Sequence, residues 1–192
     1  MDFELSDDQQ ALRDAAREVL DKESSPERVR AADGFDRKLW ASLVDQGWMG
    51  VDLPESRGGL GLGMVEAAVL LEEIGAHTAP VPFLESQLAL TALSWADAGD
   101  WSAEWAQRLV TGDAIGCVAW NASSPVLFAP DADVAILCRD DELVAVEQRR
   151  KPGREPAMDL TRRLAWLDIG DRPGIRLGGA DAARVKEVLI LT

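Results

Sequence analysis

Tyrosine is absent from this sequence of 192 residues, histidine occurs once (His77), and cysteine twice (Cys117 and Cys138). One histidine and no C-x-x-C pair leave a structural zinc or a histidine-dependent triad almost nothing to work with. The two cysteines lie far apart on strand-like runs. They read as small buried apolar residues in a reducing compartment rather than as a disulfide. Basic residues are scarce too, 20 against 34 acidic ones, a net charge of −14. Such a surface repels phosphate backbones and anionic membranes, which argues against nucleic acid or a bilayer as partner. A polyanionic ligand would need a local positive patch or help from another chain. No apolar run approaches the roughly 20 residues that span a membrane. The start, MDFELSDDQQ, is acidic and lacks a signal peptide's basic and apolar regions. A cytoplasmic protein is expected.

What is present is a core: 47% of residues are hydrophobic, enough for one large domain or two small ones. Ser6 followed by Gln9 has the spacing of a capping box. Leu12, Ala15, Ala16 and Val19 then recur at i, i+3, i+4 and i+7, one face of an amphipathic helix. Arg13, Asp14, Arg17 and Glu18 fill the other face. Residues 23–37 are polar and loop-like, with a short helical piece near Pro26. A second helix carries Leu39, Trp40, Leu43 and Val44 and stops at Gly47, placed as a C′ residue.

From Gly50 to Gly63 the pattern is a loop, with Pro54 and Gly58, Gly59, Gly61 and Gly63. It holds no G-x-G-x-x-G register and follows no strand, so it reads as a tight helix connection, not a dinucleotide-binding turn. Met64 to Ile74 is apolar apart from Glu66, Glu72 and Glu73, which predicts a helix buried on several sides. After Pro80 and Pro82 comes another apolar helix, Phe83 to Trp95. Trp101, Trp105 and Leu109 mark one more, ending at Gly112 as packing anchors at helical spacing.

Beyond Ala114 the period shortens. AIGCVAW, PVLF, DVAILC, ELVAVE and RLAWLDI are short apolar or β-branched runs separated by turn residues. The expectation is an α+β chain: a helical domain over 1–112, a small antiparallel β domain over 113–179, and over 180–192 the start of a further, truncated helix. The cluster Arg149, Arg150, Lys151 and Arg154 reads as a solvated hairpin loop, and Arg162 and Arg163 as salt-bridge partners. His77 reads as a surface or capping residue.

Five stretches carry a family likeness in order: LSDDQQALRDAAREVL, the block from Leu39 to Gly75, VPFLESQLALTALSWAD, QRLVTGDAIGCVAW and DLTRRLAWLDI. VDLPESRGGLGLG and DLTRRLA are the most specific. The chain resembles the acyl-CoA dehydrogenases, in their amino-terminal helical domain and a shortened middle domain. The resemblance implies an FAD-dependent flavoprotein that introduces a double bond at the α,β carbons of an acyl-CoA thioester. The family's carboxy-terminal helical domain, with its catalytic glutamate, falls outside this sequence, so no catalytic residue is assigned here.

By the same resemblance, flavin and substrate contacts follow the first strand, in a motif like T-E-P-x-A-G-S-D. This chain has Trp120, Asn121, Ala122, Ser123, Ser124 and Pro125 there, without the acidic residue or the Gly-Ser-Asp. A second flavin motif, W-I-[ST]-N, is replaced by Leu127, Phe128, Ala129, Pro130 and Asp131. Trp120, Asn121, Ser123 and Ser124 remain the candidate cofactor contacts, with an ordinary turn as the alternative. Phe83, Leu84, Gln87 and Leu88 are the candidate pocket residues, because the matching family helix borders the acyl pocket; plain core packing is the alternative. No metal ligand is proposed.

DLTRRLA and the eroded flavin motifs resemble subunits of paired assemblies in sterol side-chain oxidation, in which a homologous partner supplies chemistry. Two readings stay open. The chain is a subunit or fragment of an acyl-CoA dehydrogenase, inactive alone and sharing FAD with a carboxy-terminal domain or partner chain. Alternatively, it is a non-catalytic structural partner of such a complex.

Overall fold

The computed structural model describes residues 4–95, 99–121, 123–139, 142–167 and 174–178. The expected helix over 180–192 lies outside them. The architecture is α+β, with six helices preceding a small sheet. α1 (Asp7–Glu23) opens with the capping box: Gln9 N–H donates to Ser6 Oγ and Ser6 N–H to Gln9 Oε1, at 3.3 and 3.0 Å. Its buried stripe is Ala16 and Leu20, with Leu12 and Val19 packed alongside; Ala15 faces solvent instead. Part of the charged side docks on α4 (Met64–Ala76). Gln9 donates to Glu66 at 2.9 Å, Arg13 pairs with Glu72 at 3.4 Å, and Arg17 clasps the buried Glu73 through two bonds of 2.7 and 3.2 Å. The acidic residues that interrupt α4 therefore serve to hold α1.

α2 (Pro26–Ala31) is capped by Ser25, with proline at its first position. α3 (Arg37–Asp45) buries Leu39, Trp40 and Leu43 and is followed by Gly47 at φ +77°, the left-handed C′ conformation that glycine adopts without steric cost. The glycine-rich connection is compact. After a 3-10 turn at Trp48–Gly50, the chain folds back so that Leu60 N–H donates to Gly50 O, Gly61 to Leu53 and Leu62 to Val51, at 2.8 to 3.0 Å. α4 buries Ala67, Val69, Leu70, Glu73 and Ile74 but not its whole surface. Met64 and Val65 are about half exposed, as are Leu60 and Leu62 just before them, so one side of this helix is bare. α5 (Phe83–Trp95) is buried on nearly every face. α6 (Gly99–Val110) buries Trp105 and Leu109, and Trp101 leans on Trp105 at 5.6 Å between ring centroids.

The five apolar runs become β1 (Gly116–Ala119), β2 (Val126–Leu127), β3 (Val134–Arg139), β4 (Glu142–Glu147) and β5 (Leu164–Ala165). A two-residue β6 (Ile175–Arg176) joins them. The four-stranded sheet has the order β1-β3-β4-β6. β3-β4 and β4-β6 are antiparallel as expected, but β1 pairs with β3 in parallel, Gly116 opposite Val134. The reason is topological. Between β1 and β3 the chain leaves the sheet to pair β2 with β5, and it re-enters running in its original direction. Leu143 to Val146 are buried without alternation, as in a strand covered on both faces. No helix among the described residues is long and apolar enough to cross a membrane.

Two of the contacts between helices and the β region stand out. At the first, Gly116 lies against α5: a Cβ there would stand 2.4 Å from Ala89 Cβ. Gly116 N–H donates to Ser86 Oγ at 3.2 Å. At the second, buried Asp131 is reached by Arg37 of α3 at 2.9 Å and by Arg163 beside β5 at 3.0 Å. The Arg37 contact is a hydrogen bond, whereas the Arg163 Nε–H is not aimed at the carboxylate and that pair is electrostatic by distance.

Replacing Gly116 with alanine forces α5 off the sheet and is expected to cost roughly 1–3 kcal/mol, as overpacking does. Asp131→Ala removes a charge-assisted hydrogen bond and is expected to cost about 1.5–3 kcal/mol. Denaturant unfolding of both variants measures these losses, and unchanged midpoints would contradict the assignment of either contact.

Candidate functional site

α5 owes its position to its small residues. Ala89 and Ser86 let β1 approach, while Phe83, on another side, is fully buried in the core. Leu84, Gln87, Leu88 and Thr91 share the face turned to α4, as their i, i+3, i+4, i+7 spacing dictates. With Met64, Ala67, Ala68 and Leu71 of α4 and Asp52 of the folded-back loop, they line a cavity of about 60 Å³. Three of the four predicted pocket residues therefore converge, and Phe83 does not join them. Its place is core packing.

The polar end of the cavity was not legible in the sequence. Gln87 Nε2 donates to Asp52 Oδ1 at 2.6 Å across 35 residues of chain. Gln87 is 6% exposed, and its Oε1 is buried without a hydrogen-bond partner. Burial pushes the Asp52 carboxyl above its ordinary range, against the pull of its own backbone N–H and of Gln87. The hint available beforehand was a lone amide between Leu84 and Leu88 on one face of the helix. Nothing marked Asp52, since loop residues carry no periodicity.

The candidate cofactor residues sit at the carboxy-terminal end of β1. Trp120 is 39% exposed, and Asn121, Ser123 and Ser124 are exposed. Asn121 Oδ1 accepts from Ser123 N–H at 2.8 Å and from Ser124 Oγ at 3.1 Å, an Asx turn in which the amide carbonyl folds the chain. Because β1 is locked to α5, this turn and the cavity ride on elements that are fixed to each other.

The basic cluster divides. Lys151 turns inward to Asp133 at 2.6 Å and to the Asp131 carbonyl at 2.8 Å, and Arg154 reaches Asp33 at 2.7 Å; only part of the expected solvated loop is therefore solvated. Arg162 and Arg163 make the expected ion pairs, to Asp159 at 3.6 Å and to Asp131. Buried Glu85 has its carboxyl pushed up by desolvation, with Arg162 a distant 4.0 Å away. His77 caps α4: its N–H donates to Glu73 O, and its ring bridges Glu73 O at 2.7 Å and Asp21 at 3.0 Å. Cys117 and Cys138 are both buried, and burial raises the Cys117 thiol. No cluster suited to a metal ion occurs among the described residues.

The raised Asp52 pKa has a stability consequence. The folded protein favours the protonated acid, so stability falls as pH rises from the ordinary aspartate value of about 3.9 through the folded value, and it stays lower above that. Asp52→Asn keeps an acceptor for Gln87 without the charge. It is expected to raise Tm by about 1–4 °C at pH 7, with the gain shrinking towards pH 4. Calorimetric scans at both pH values check this; a lower Tm at pH 7 contradicts it.

Comparison with known proteins gives this geometry its context. The family model described as acyl-CoA dehydrogenase, N-terminal domain, matches residues 6–113. The acyl-CoA dehydrogenase IpdE2 of Mycolicibacterium smegmatis is 34% identical over 184 residues, covering 89% of this chain and 57% of that protein. FadE27 of Mycobacterium tuberculosis is 36% identical over 124 residues, 62% of this chain and 33% of its own length. Among solved structures, the ChsE4–ChsE5 complex of Mycobacterium tuberculosis superposes with a TM-score of 0.82 at 26% identity, covering 98% of this chain and 62% of that one. A glutaryl-coenzyme A dehydrogenase bound to glutaryl-CoA has the same fold, with a TM-score of 0.82 at 19% identity. The chain thus spans 57% of the length of IpdE2 and 33% of that of FadE27. With the amino-terminal family model covering more than half of its residues, the chain belongs to the acyl-CoA dehydrogenase family.

Proposed function

We propose that this chain is part of an FAD-dependent enzyme that forms the α,β double bond of an acyl-CoA thioester. In this reading residues 1–112 supply the helical wall of the acyl pocket and residues 113–179 the flavin-facing sheet. Turnover requires a carboxy-terminal helical domain or a homologous partner chain. The observation that carries the reading is the apolar cavity between α4 and α5, lined by Leu84, Gln87 and Leu88 and opening beside the bare Met64. Its walls suit an acyl tail, and the exposed Leu60, Leu62, Met64 and Val65 suit an apolar surface from another domain or subunit.

When bound, FAD accepts the hydride from the β carbon. The residues at the end of β1 fit contact with it in part. Trp120 offers an exposed ring, and Ser123 and Ser124 offer exposed hydroxyls, but the Asn121 carbonyl is already engaged in its own turn. No residue of this chain is assigned as the base. The low supply of surface cations also suits a CoA moiety held mainly by other residues.

The engaged Asn121 favours a second reading, a homologous subunit that shapes the pocket of an active partner without touching flavin. Pairing of two different subunits, as in the complex that this fold resembles, suits both readings.

The purified chain alone is expected to be colourless and to leave an artificial electron acceptor unreduced with acyl-CoA. A yellow preparation that turns over would overturn the requirement for further segments. In the assembled complex, Asn121→Ala combined with Ser123→Ala is expected to release most of the flavin, read as loss of absorbance near the flavin band. Full retention favours the structural subunit.

A further inference from the structure

We propose that the cavity between the start of α5 and the DLTRR segment is a binding site for a small apolar molecule carrying one hydroxyl, which Glu85 and Arg162 hold between them. The proposal goes beyond the acyl-CoA reading and does not rest on it.

The cavity has a volume of about 380 Å³ and lies across Leu71 and Leu84 from the smaller one described above. Ile74, Val81 and Phe128 complete its apolar wall. Glu85 is the third residue of α5, a position whose carboxylate ordinarily turns back to the N–H of the capping residue. Glu66 does so at the start of α4, accepting from Gly63 N–H at 2.8 Å. Before α5 the corresponding residue is Pro82. Its carbonyl accepts from Ser86 N–H at 3.0 Å, but it has no N–H of its own to give. The Glu85 carboxyl is thereby released from capping.

Its side chain lines the cavity and keeps 9% of its exposure, so the space remains open to it. No other described residue donates a hydrogen bond to the carboxyl. Thr161 gives its N–H and its hydroxyl to Asp159, at 2.9 and 2.6 Å. Arg162, half-exposed in the same lining, stops with Nη1 4.0 Å from Glu85 Oε1. That gap is too long for a direct hydrogen bond, and it admits a single oxygen about 2.8 Å from each side.

The chemistry of that oxygen is constrained. A cation is opposed by Arg162, and an anion by Glu85 and the neighbouring Asp159. An amide carries its donor and acceptor on different atoms and needs a wider gap. A hydroxyl donates and accepts through one atom, giving its proton to Glu85 and accepting from Arg162. Desolvation favours the protonated form of Glu85, and to that form the hydroxyl accepts instead, so the fit survives either state. Water meets the same polar condition. An alcohol adds carbon buried against Ile74, Val81 and Phe128, which water cannot.

The test titrates two probes of similar shape, cyclohexylmethanol and (fluoromethyl)cyclohexane, into the whole ¹⁵N-labelled 192-residue chain. The alcohol is expected to bind at least about tenfold more tightly, as a hydrogen bond to a charged group implies. Glu85→Met is expected to bring the two probes within twofold, and Arg162→Met, at the rim, to cut the preference at least threefold. A readout without variants is the Arg162 Nε–H signal, which shifts with the alcohol and stays put with the fluoride. Equal binding of the two probes, binding of neither, or a preference unchanged in Glu85→Met would overturn the proposal and leave water as the occupant of the gap. None of these outcomes touches the acyl-CoA reading.

Discussion

No side chain fits between α5 and β1 at position 116, and most of what this protein displays follows from that closeness. Ala89 and Ser86 on the helix and Gly116 on the strand bring the two backbones together, and the Ser86 hydroxyl seals the contact. One face of α5 is thereby committed to the sheet and the opposite one is turned to α4. On that side Leu84, Gln87, Leu88 and Thr91 line a space that α4 leaves open. The same contact fixes the end of β1, and with it the turn from Trp120 to Ser124, relative to that space. A pocket wall and a candidate cofactor edge are thus set by one steric constraint. The Asp131 clasp with Arg37 and Arg163 performs a similar service at the other junction of helices and sheet.

Charge is organised with comparable economy. In a chain with far more acid than base, several cations are committed to internal ion pairs. Arg17 holds Glu73, Arg154 holds Asp33, and Lys151 holds Asp133. Exposed pairs of this kind contribute little by themselves. The ones that matter reach a buried carboxylate, Glu73 or Asp131, whose desolvation would otherwise oppose folding. Cations used this way are not on offer to a phosphate. In the function proposed above, this chain would meet the acyl portion of the ligand rather than its nucleotide.

Two features point outward. Leu60, Leu62, Met64 and Val65 form an exposed apolar run beside the cavity, where a self-contained surface would place polar residues. Leu160, Met158 and Trp166 are likewise exposed around the DLTRR segment. Both suit a protein whose helices and strands are completed by further structure, which is the arrangement proposed for its chemistry.

Local rules settled a good deal from the sequence alone. The Ser6–Gln9 spacing set the start of α1, Gly47 the end of α3, and the change of period after Ala114 the switch from helices to strands, because caps and periodicity act between near neighbours. Family motifs did the same for the family. Tertiary structure decided the rest. The parallel pairing of β1 with β3 depends on where β2 finds β5, a partner remote in sequence. Arg13 and Arg17, on the charged face of α1, met α4, and the apolar Met64 and Val65 stayed bare, since hydropathy records what a residue tolerates and not what is packed against it. Gln87 was visible as a polar residue on an apolar helix, yet its meaning came from Asp52, brought to it by a loop whose course is written in backbone hydrogen bonds rather than in any periodic signal.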